Sequence, residues 1–506
     1  MGAIDASIVN VALSQIRGAV GATVQEITWI STGFAIATVM VMPLTGFFGR
    51  LFGQKKVYLA CLALFVVGST LCGFAWNLPS LVVFRAIQGF GAGALQPTEQ
   101  AILRQTFPPK EQAMAMALFA MAVMIGPALG PTLGGFIVDN FHWSWIFFIN
   151  VPVGILGFFL VTRFVQEDED LKQKARVEAE QQRRHMDWLG IALLWVSLIS
   201  LQYVLEEGQA DDWFDSPVIV VVTLVSVFSM VAFVVRELTA VAPAVNLRLF
   251  RDRAFAFGTL ASGGMFAVLM SGMFLLPLFM QELLGFSATQ SGLALMPRTL
   301  VMLACMPIVA RVYRYTSPAV LGTLGILVNA YGQYTLSGLT LDSSSGHITF
   351  ALVLQGVGMS MMMVPLQTVA LSTIPRERMA DATGLSSLVR QIGGSFGVAA
   401  FATILARSSV GASAALRAHL VVERPEVQAR LLGAEASMLA RGMDPTTAHG
   451  AASRAFAGTV ARQGTVLAFD HLFVLGAVCF ALVIPLILML RRPAQSAGAP
   501  VHVEME

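Results

Sequence analysis

The chain has 506 residues, of which 56% are hydrophobic and only 12% charged, with a formal net charge of +2. A mean hydropathy of +0.72 excludes an ordinary soluble globular protein, and the near-balanced charge gives no reason to expect a nucleic-acid partner. Fourteen predominantly apolar stretches carry the composition, most of them near the roughly 20 residues that a helix needs to cross a hydrocarbon core of about 30 Å.

In chain order the predicted spans lie near 1–17, 29–48, 57–76, 80–103, 113–137, 143–163, 188–205, 217–235, 255–280, 288–309, 319–340, 348–371, 383–405 and 470–490. With the N-terminus in the cytoplasm, 21 of the 32 basic residues fall in inner connections and only Arg17 in a short outer loop. Short-loop Lys/Arg bias orients membrane proteins, so both termini are expected in the cytoplasm and the long segment 406–469 outside. All four cysteines (Cys61, Cys72, Cys305, Cys479) lie within spans, so no disulfide is expected.

Span one is short, with about 16 residues before the first polar loop, and carries Asp5. The shortness leads us to expect a translation start upstream and a clipped first helix. A buried, uncompensated carboxylate favours its neutral form, which suits Asp5 to loading and releasing a proton. The inner loop after span two, 46–56, is rich in Gly, Phe, Arg and Lys and reads as a tight cytoplasmic turn.

Span four holds Arg85, Gln88, Gln96 and Glu99 within an arc of about 80°, a polar stripe about 21 Å long. Ionisable groups in hydrocarbon are costly and default to a functional reading. Arg85 and Glu99 are therefore candidate functional residues; backbone bonding for Arg85 and an interfacial location for Glu99 are the bland alternatives. Span five contains Gly126, Pro127, Gly130, Pro131 and Gly134. The glycines share one face and permit close approach of another helix, while each proline removes a backbone donor. Those five residues are expected to form a kinked, tightly packed conformational hinge.

Segment 166–186 is a charged cytoplasmic linker, acidic then basic. At an offset of 267 residues, Gln88-Gly89-Phe90-Gly91 matches Gln355-Gly356-Val357-Gly358, Ile125-Gly126 matches Ile392-Gly393, and Gly130 matches Gly397. The halves are therefore repeated. The predicted fold is all-α and integral to the membrane: a six-helix bundle in 1–165 and another in 255–490. Two extra helices in 187–237 lie between them, 238–254 forms a cytoplasmic connection, and 491–506 a cytoplasmic tail. Repeated halves with a site between them are the signature of secondary transporters. Asp5, Arg85 and Glu99 correspond to Gly272, Leu352 and Leu366, so proton handling belongs to the first half.

In the second half, Phe266, Met270, Phe274, Gln355, Met359 and Met362 form a candidate substrate wall, because thioethers and aromatic faces suit varied apolar ligands. Core packing is the plain alternative. Segment 406–469 is Ala-rich with helical spacing, and Gly442 followed by Asp444-Pro445 reads as one helix stopping and another starting. The histidines show no metal-ligand spacing, and no Gly-rich phosphate loop precedes a lysine; neither a metal nor ATP is expected.

Asp5-Ala6-Ser7-Ile8-Val9-Asn10-Val11-Ala12-Leu13, Arg85-Ala86-Ile87-Gln88-Gly89-Phe90-Gly91 and Gly126-Pro127 through Gly134-Gly135 together resemble the motifs of the major facilitator superfamily, specifically its fourteen-span drug:proton antiporters of the EmrB/QacA type. The resemblance runs essentially end to end and implies proton-driven efflux of small amphipathic compounds by alternating access, with Asp5 and Arg85 in proton coupling and Glu99 as an auxiliary carboxylate, without a cofactor, in a bacterial inner membrane. It also implies a periplasmic adaptor and an outer-membrane channel as partners, with 406–469 as the contact. One departure is Gly49, which stands where the family's loop after span two usually carries an acid. An exporter of one physiological lipid, siderophore or organic acid is the alternative reading; a non-transporting membrane sensor or enzyme is the second.

Overall fold

The computed structural model describes residues 1–108, 111–166, 187–240, 242–313, 315–419 and 424–489. Each predicted span coincides with a helix or a helix pair. The first six are α1 (Gly2–Val20), α2 (Val24–Val41) with a 3-10 turn and α3 (Thr45–Phe52), α4 (Gln54–Gly73), α5 (Leu78–Thr106), α6 (Gln112–Asn140), and α7 (Trp145–Phe148) continued by α8 (Asn150–Phe164). Next come α9 (Trp188–Glu207) and α10 (Pro217–Thr239). The second half has α11 (Arg253–Glu282), α12 (Ala288–Val312), α13 (Pro318–Leu336), α14 (Ser345–Ala370), α15 (Met379–His419), α16 (Pro425–Ala440) and α17 (Pro445–Leu488). Among the described residues, 11 helices are long and apolar enough to cross a membrane by length and composition.

Side-chain caps mark several helix starts. Thr23 and Glu26 form a reciprocal capping box on α2, as do Asn77 with Ser80 on α5 and Ser287 with Gln290 on α12, satisfying backbone donors that the first turn leaves open.

Two bundles result. In the first, α1 packs on α6, and α4 lies against α5 and α8, with α2 against α5; in the second, α11 packs on α15 and α17, and α14 on α12 and α13. The repeated glycines are the crossing points, and they cross equivalent partners. A Cβ at Gly89 would lie 2.6 Å from the Phe34 carbonyl oxygen on α2, and one at Gly356 would lie 2.5 Å from that of Arg298 on α12. Gly126 meets Ala3 on α1 as Gly393 meets Gly263 on α11. Backbone contact at this range tolerates no larger residue, which is why the motif recurs.

The pair α9–α10 stands between the bundles. Trp195 Nε1 donates to the Met40 carbonyl on α2 (3.1 Å), and Gln202 Nε2 donates to Ser395 Oγ on α15 (2.9 Å). The described residues of 406–469 are largely helical. Helix α15 runs on to His419, and α17 covers 44 residues from an Asp444 cap that accepts the Thr447 amide. Gly442 makes the turn at φ +88°, and Gly464 packs directly on Ser413. The Ala-rich composition continues the helix beyond the membrane-length segment. The linker from 167 to 186 and the tail from 490 lie outside the described residues.

Candidate functional site: a buried ion pair and the seam between bundles

Asp5 and Arg85 meet in the interior of the first bundle, 0% and 1% exposed. Arg85 Nη1 lies 2.5 Å from Asp5 Oδ2. Gln88 Nε2 and Asn150 Nδ2 each donate to Asp5 Oδ1 at 2.8 Å. Arg85 also donates to Gln88 Oε1 (2.7 Å) and to the Ile30 carbonyl (3.3 Å), and its guanidinium stacks 4.2 Å from the Phe34 ring centre. Ser69 accepts from Asn150 and donates to the Phe147 carbonyl. Residues from α1, α2, α4, α5 and α8 thus close around one carboxylate. Sequence reading treated Asp5 as an acid with no basic neighbour; folding supplies Arg85 across 80 residues. A satisfied buried pair is tolerated, whereas removing one member costs about 3–5 kcal/mol.

The stripe on α5 divides. Arg85 and Gln88 belong to this cluster. Glu99 does not reach it: its carboxylate accepts from Tyr58 on α4 at 2.8 Å. Gln96 is half-buried between them. Asn150 and Ser69 escaped sequence reading. A lone amide in the apolar run Phe147-Phe148-Ile149-Asn150-Val151 was a usable signal for the first; a serine within a span is too common for the second.

The glycine face of α6 carries α1. A Cβ at Gly126 would sit 2.7 Å from Ala3, one at Gly130 would overlap Ser7, and one at Gly134 would lie 3.2 Å from the Ile8 carbonyl oxygen. The side chains of Pro127 and Pro131 lie outside the described residues. Elsewhere on α6, Ala113, Ala117, Ala120 and Met124 join a core with Met302 and Met306 of α12 and Met359 of α14. One helix therefore touches both the Asp5-bearing helix and the other bundle. Gly130→Val is expected to destabilise the protein by about 1–3 kcal/mol through overpacking, read as a lower unfolding temperature in detergent.

At the end where α5 finishes and α15 begins, polar contacts between described residues tie the bundles. Arg50 pairs with Asp381. Arg104 Nη2 donates to the Thr368 carbonyl (2.7 Å), Gln105 Nε2 to the Arg376 carbonyl (2.8 Å), and Arg390 Nη2 to Gln100 Oε1 (3.4 Å). Among the described residues, no hydrogen bond or ion pair joins the two bundles directly at the opposite end. Beside Gly49, Asp381 reaches the same loop from the other bundle and packs on Gly46.

In the second bundle, Gln355 and Met359 line a cavity with Asn329 and Gln333. Gln355 Nε2 donates to Gln333 Oε1 (3.2 Å). The other wall candidates lie elsewhere: Met362 is fully buried against Gly325, Phe266 lies under Arg390, Met270 packs on Gly394, and Phe274 is 38% exposed.

A family model described as Major Facilitator Superfamily matches residues 1–398. The chain is 33% identical over 498 residues to the fatty acid resistance protein FarB of Neisseria gonorrhoeae, covering 98% of this chain and 95% of that protein. It is 32% identical over 503 residues to the multidrug export protein EmrB of Escherichia coli, covering 98% and 94%. Among solved structures, the human organic anion transporter MFSD10 has the same fold, with a TM-score of 0.60 at 13% identity over 94% of this chain and 88% of that one.

Proposed function

The chain belongs to the major facilitator superfamily, within its EmrB/QacA type, and on that premise we propose that it is a proton-coupled exporter of small amphipathic compounds working by alternating access. Family membership and the bacterial relatives support a transporter in a bacterial inner membrane rather than an enzyme. The observation that carries the coupling is Asp5, enclosed by Arg85, Gln88 and Asn150 on a helix seated against α6.

Ionised Asp5 holds α1 to α5 through Arg85. Protonation removes the negative partner, so the guanidinium keeps only the Gln88 amide and the Ile30 carbonyl as acceptors. That weakens the tie between α1 and α5, and α1 shifts along the glycine face of α6. Because the same helix packs against α12 and α14, the shift is felt at the seam between bundles. A proton can bias the equilibrium only by binding the two states unequally, and a carboxylate on an arginine is a site whose surroundings differ once the helices separate.

The Lys/Arg bias of the short loops orients the Arg50–Asp381 end to the cytoplasm, which makes the described conformation closed on the inside. The extension of α15, with α16 and the start of α17, is then periplasmic and offers the contact for an adaptor protein leading to an outer-membrane channel. No metal or organic cofactor enters this scheme; the energy source is the proton gradient.

The test is uptake of a fluorescent amphipathic dye into proteoliposomes holding inverted transporter, with a pH gradient imposed. Uptake should follow the gradient and stop when an ionophore collapses it. Transport that proceeds equally without a gradient would reject proton antiport.

A further inference from the structure

The two bundles enclose equivalent sites that differ in one respect. In the first, Asp5 on α1 accepts from Gln88 on α5. At the 267-residue offset Gln88 becomes Gln355 on α14, but Asp5 becomes Gly272 on α11. Gly272 and Gln355 line the same cavity, with Arg298 on α12 and Gln333 on α13. Phe480 on α17 completes it. The five helices α11, α12, α13, α14 and α17 correspond in order to α1, α2, α4, α5 and α8, so the arrangement repeats with its carboxylate missing.

Arg298 makes the absence consequential. Its side chain is only 6% exposed and borders this cavity. Among the described residues, no carboxylate lies within ion-pair distance of it and its guanidinium makes no hydrogen bond. The other buried arginines are compensated: Arg85 has Asp5, Arg104 has Gln112 and the Thr368 carbonyl, and Arg390 has Ser386, Ser387 and Gln100. A buried guanidinium without acceptors is costly. Gln333 adds a donor: a Cβ on Gly272 would lie 3.3 Å from its Nε2.

We propose that this cavity binds the carboxylate of an exported amphiphile, with Arg298 as its counter-ion, Gln333 as a second donor, and Met359 and Phe480 against the first carbons of the tail. Gly272 leaves the position that Asp5 occupies in the first bundle open to the ligand's own acid. The proposal rests on the transporter reading only in taking the ligand as cargo; binding itself needs no gradient.

The full chain in nanodiscs of zwitterionic lipid tests it, with equilibrium binding of dodecanoate and of dodecanol. Dodecanoate should bind at least about tenfold more tightly, the size of a charge-assisted hydrogen bond to a buried partner. Arg298→Met should erase that preference while leaving dodecanol affinity within about twofold, and should not lower the unfolding temperature, since it removes an uncompensated charge. Gly272→Asp should also erase the preference, and should raise the unfolding temperature by supplying Arg298 with an internal acid. Equal affinity for the two ligands in the wild type, or a preference that survives Arg298→Met, would overturn the proposal. So would native mass spectrometry showing an anionic lipid lost in Arg298→Met with dodecanoate binding unchanged, because the site would then belong to a lipid head group. A carboxylate preference without gradient-driven transport would reject only the antiport reading.

Discussion

Asp5→Asn is expected to abolish gradient-driven transport while the protein still reaches the membrane. The substitution keeps the size of the side chain but removes the group that can exchange a proton, and it leaves Arg85 buried with no negative partner. Breaking such a pair from one side costs about 3–5 kcal/mol, so a fall in unfolding temperature should accompany the loss. Stability and coupling must therefore be separated. The double variant Asp5→Asn with Arg85→Gln replaces the ion pair by two amides that can bond to each other and to Gln88 and Asn150. We expect its unfolding temperature to recover toward wild type, because no charge is stranded, while gradient-driven transport stays absent. Arg85→Ala alone should be inactive as well. Recovered transport in the double variant, measured in the same proteoliposome assay, would assign the pair to folding alone and remove Asp5 from the mechanism.

The second large effect is expected at the seam. Asp381→Asn combined with Arg104→Gln removes the cross-bundle ion pair and weakens the charge-assisted bond to the Thr368 carbonyl. Bonds of this kind contribute about 1.5–3 kcal/mol each when buried. Losing even part of that from the closed state should shift the balance between inner-closed and inner-open forms by about tenfold or more. The measurement is a spin-label distance between the bundles across the end where α5 finishes and α15 begins. Wild type should show mainly the short distance and the double variant a dominant longer one. A single-site Gln105→Ala change should have little effect, because that contact is exposed and competes with water. An unchanged distance distribution in the double variant would mean that apolar packing of α6 on α12, rather than these polar contacts, holds the closed form.

How much of this was legible beforehand depends on the range over which the causes act. Every predicted span became a helix because bilayer length and apolar composition act within about twenty residues. The repeat was readable because glycines at helix crossings admit no substitute. Gly89 and Gly356, or Gly126 and Gly393, recur where one backbone touches another. Asp5, Arg85 and Gln88 were singled out because charge and amide groups are rare in hydrocarbon.

Their assembly was not legible. The stripe on α5 read as one surface, yet Glu99 turns to Tyr58 while Arg85 and Gln88 turn to Asp5. Asn150 reaches Asp5 across 145 residues and Arg50 reaches Asp381 across 331. Nothing in the periodicity of a single helix states which neighbour it will face. Local hydropathy, glycine placement and loop charge therefore determined the class, the spans and the two-fold repeat. Only packing decided which polar groups meet, that Asp381 pairs with Arg50 from the other bundle, and that Arg298 stands without an acid. Those outcomes depend on crossing angles and on the rotation of each helix about its axis, set jointly by all neighbours.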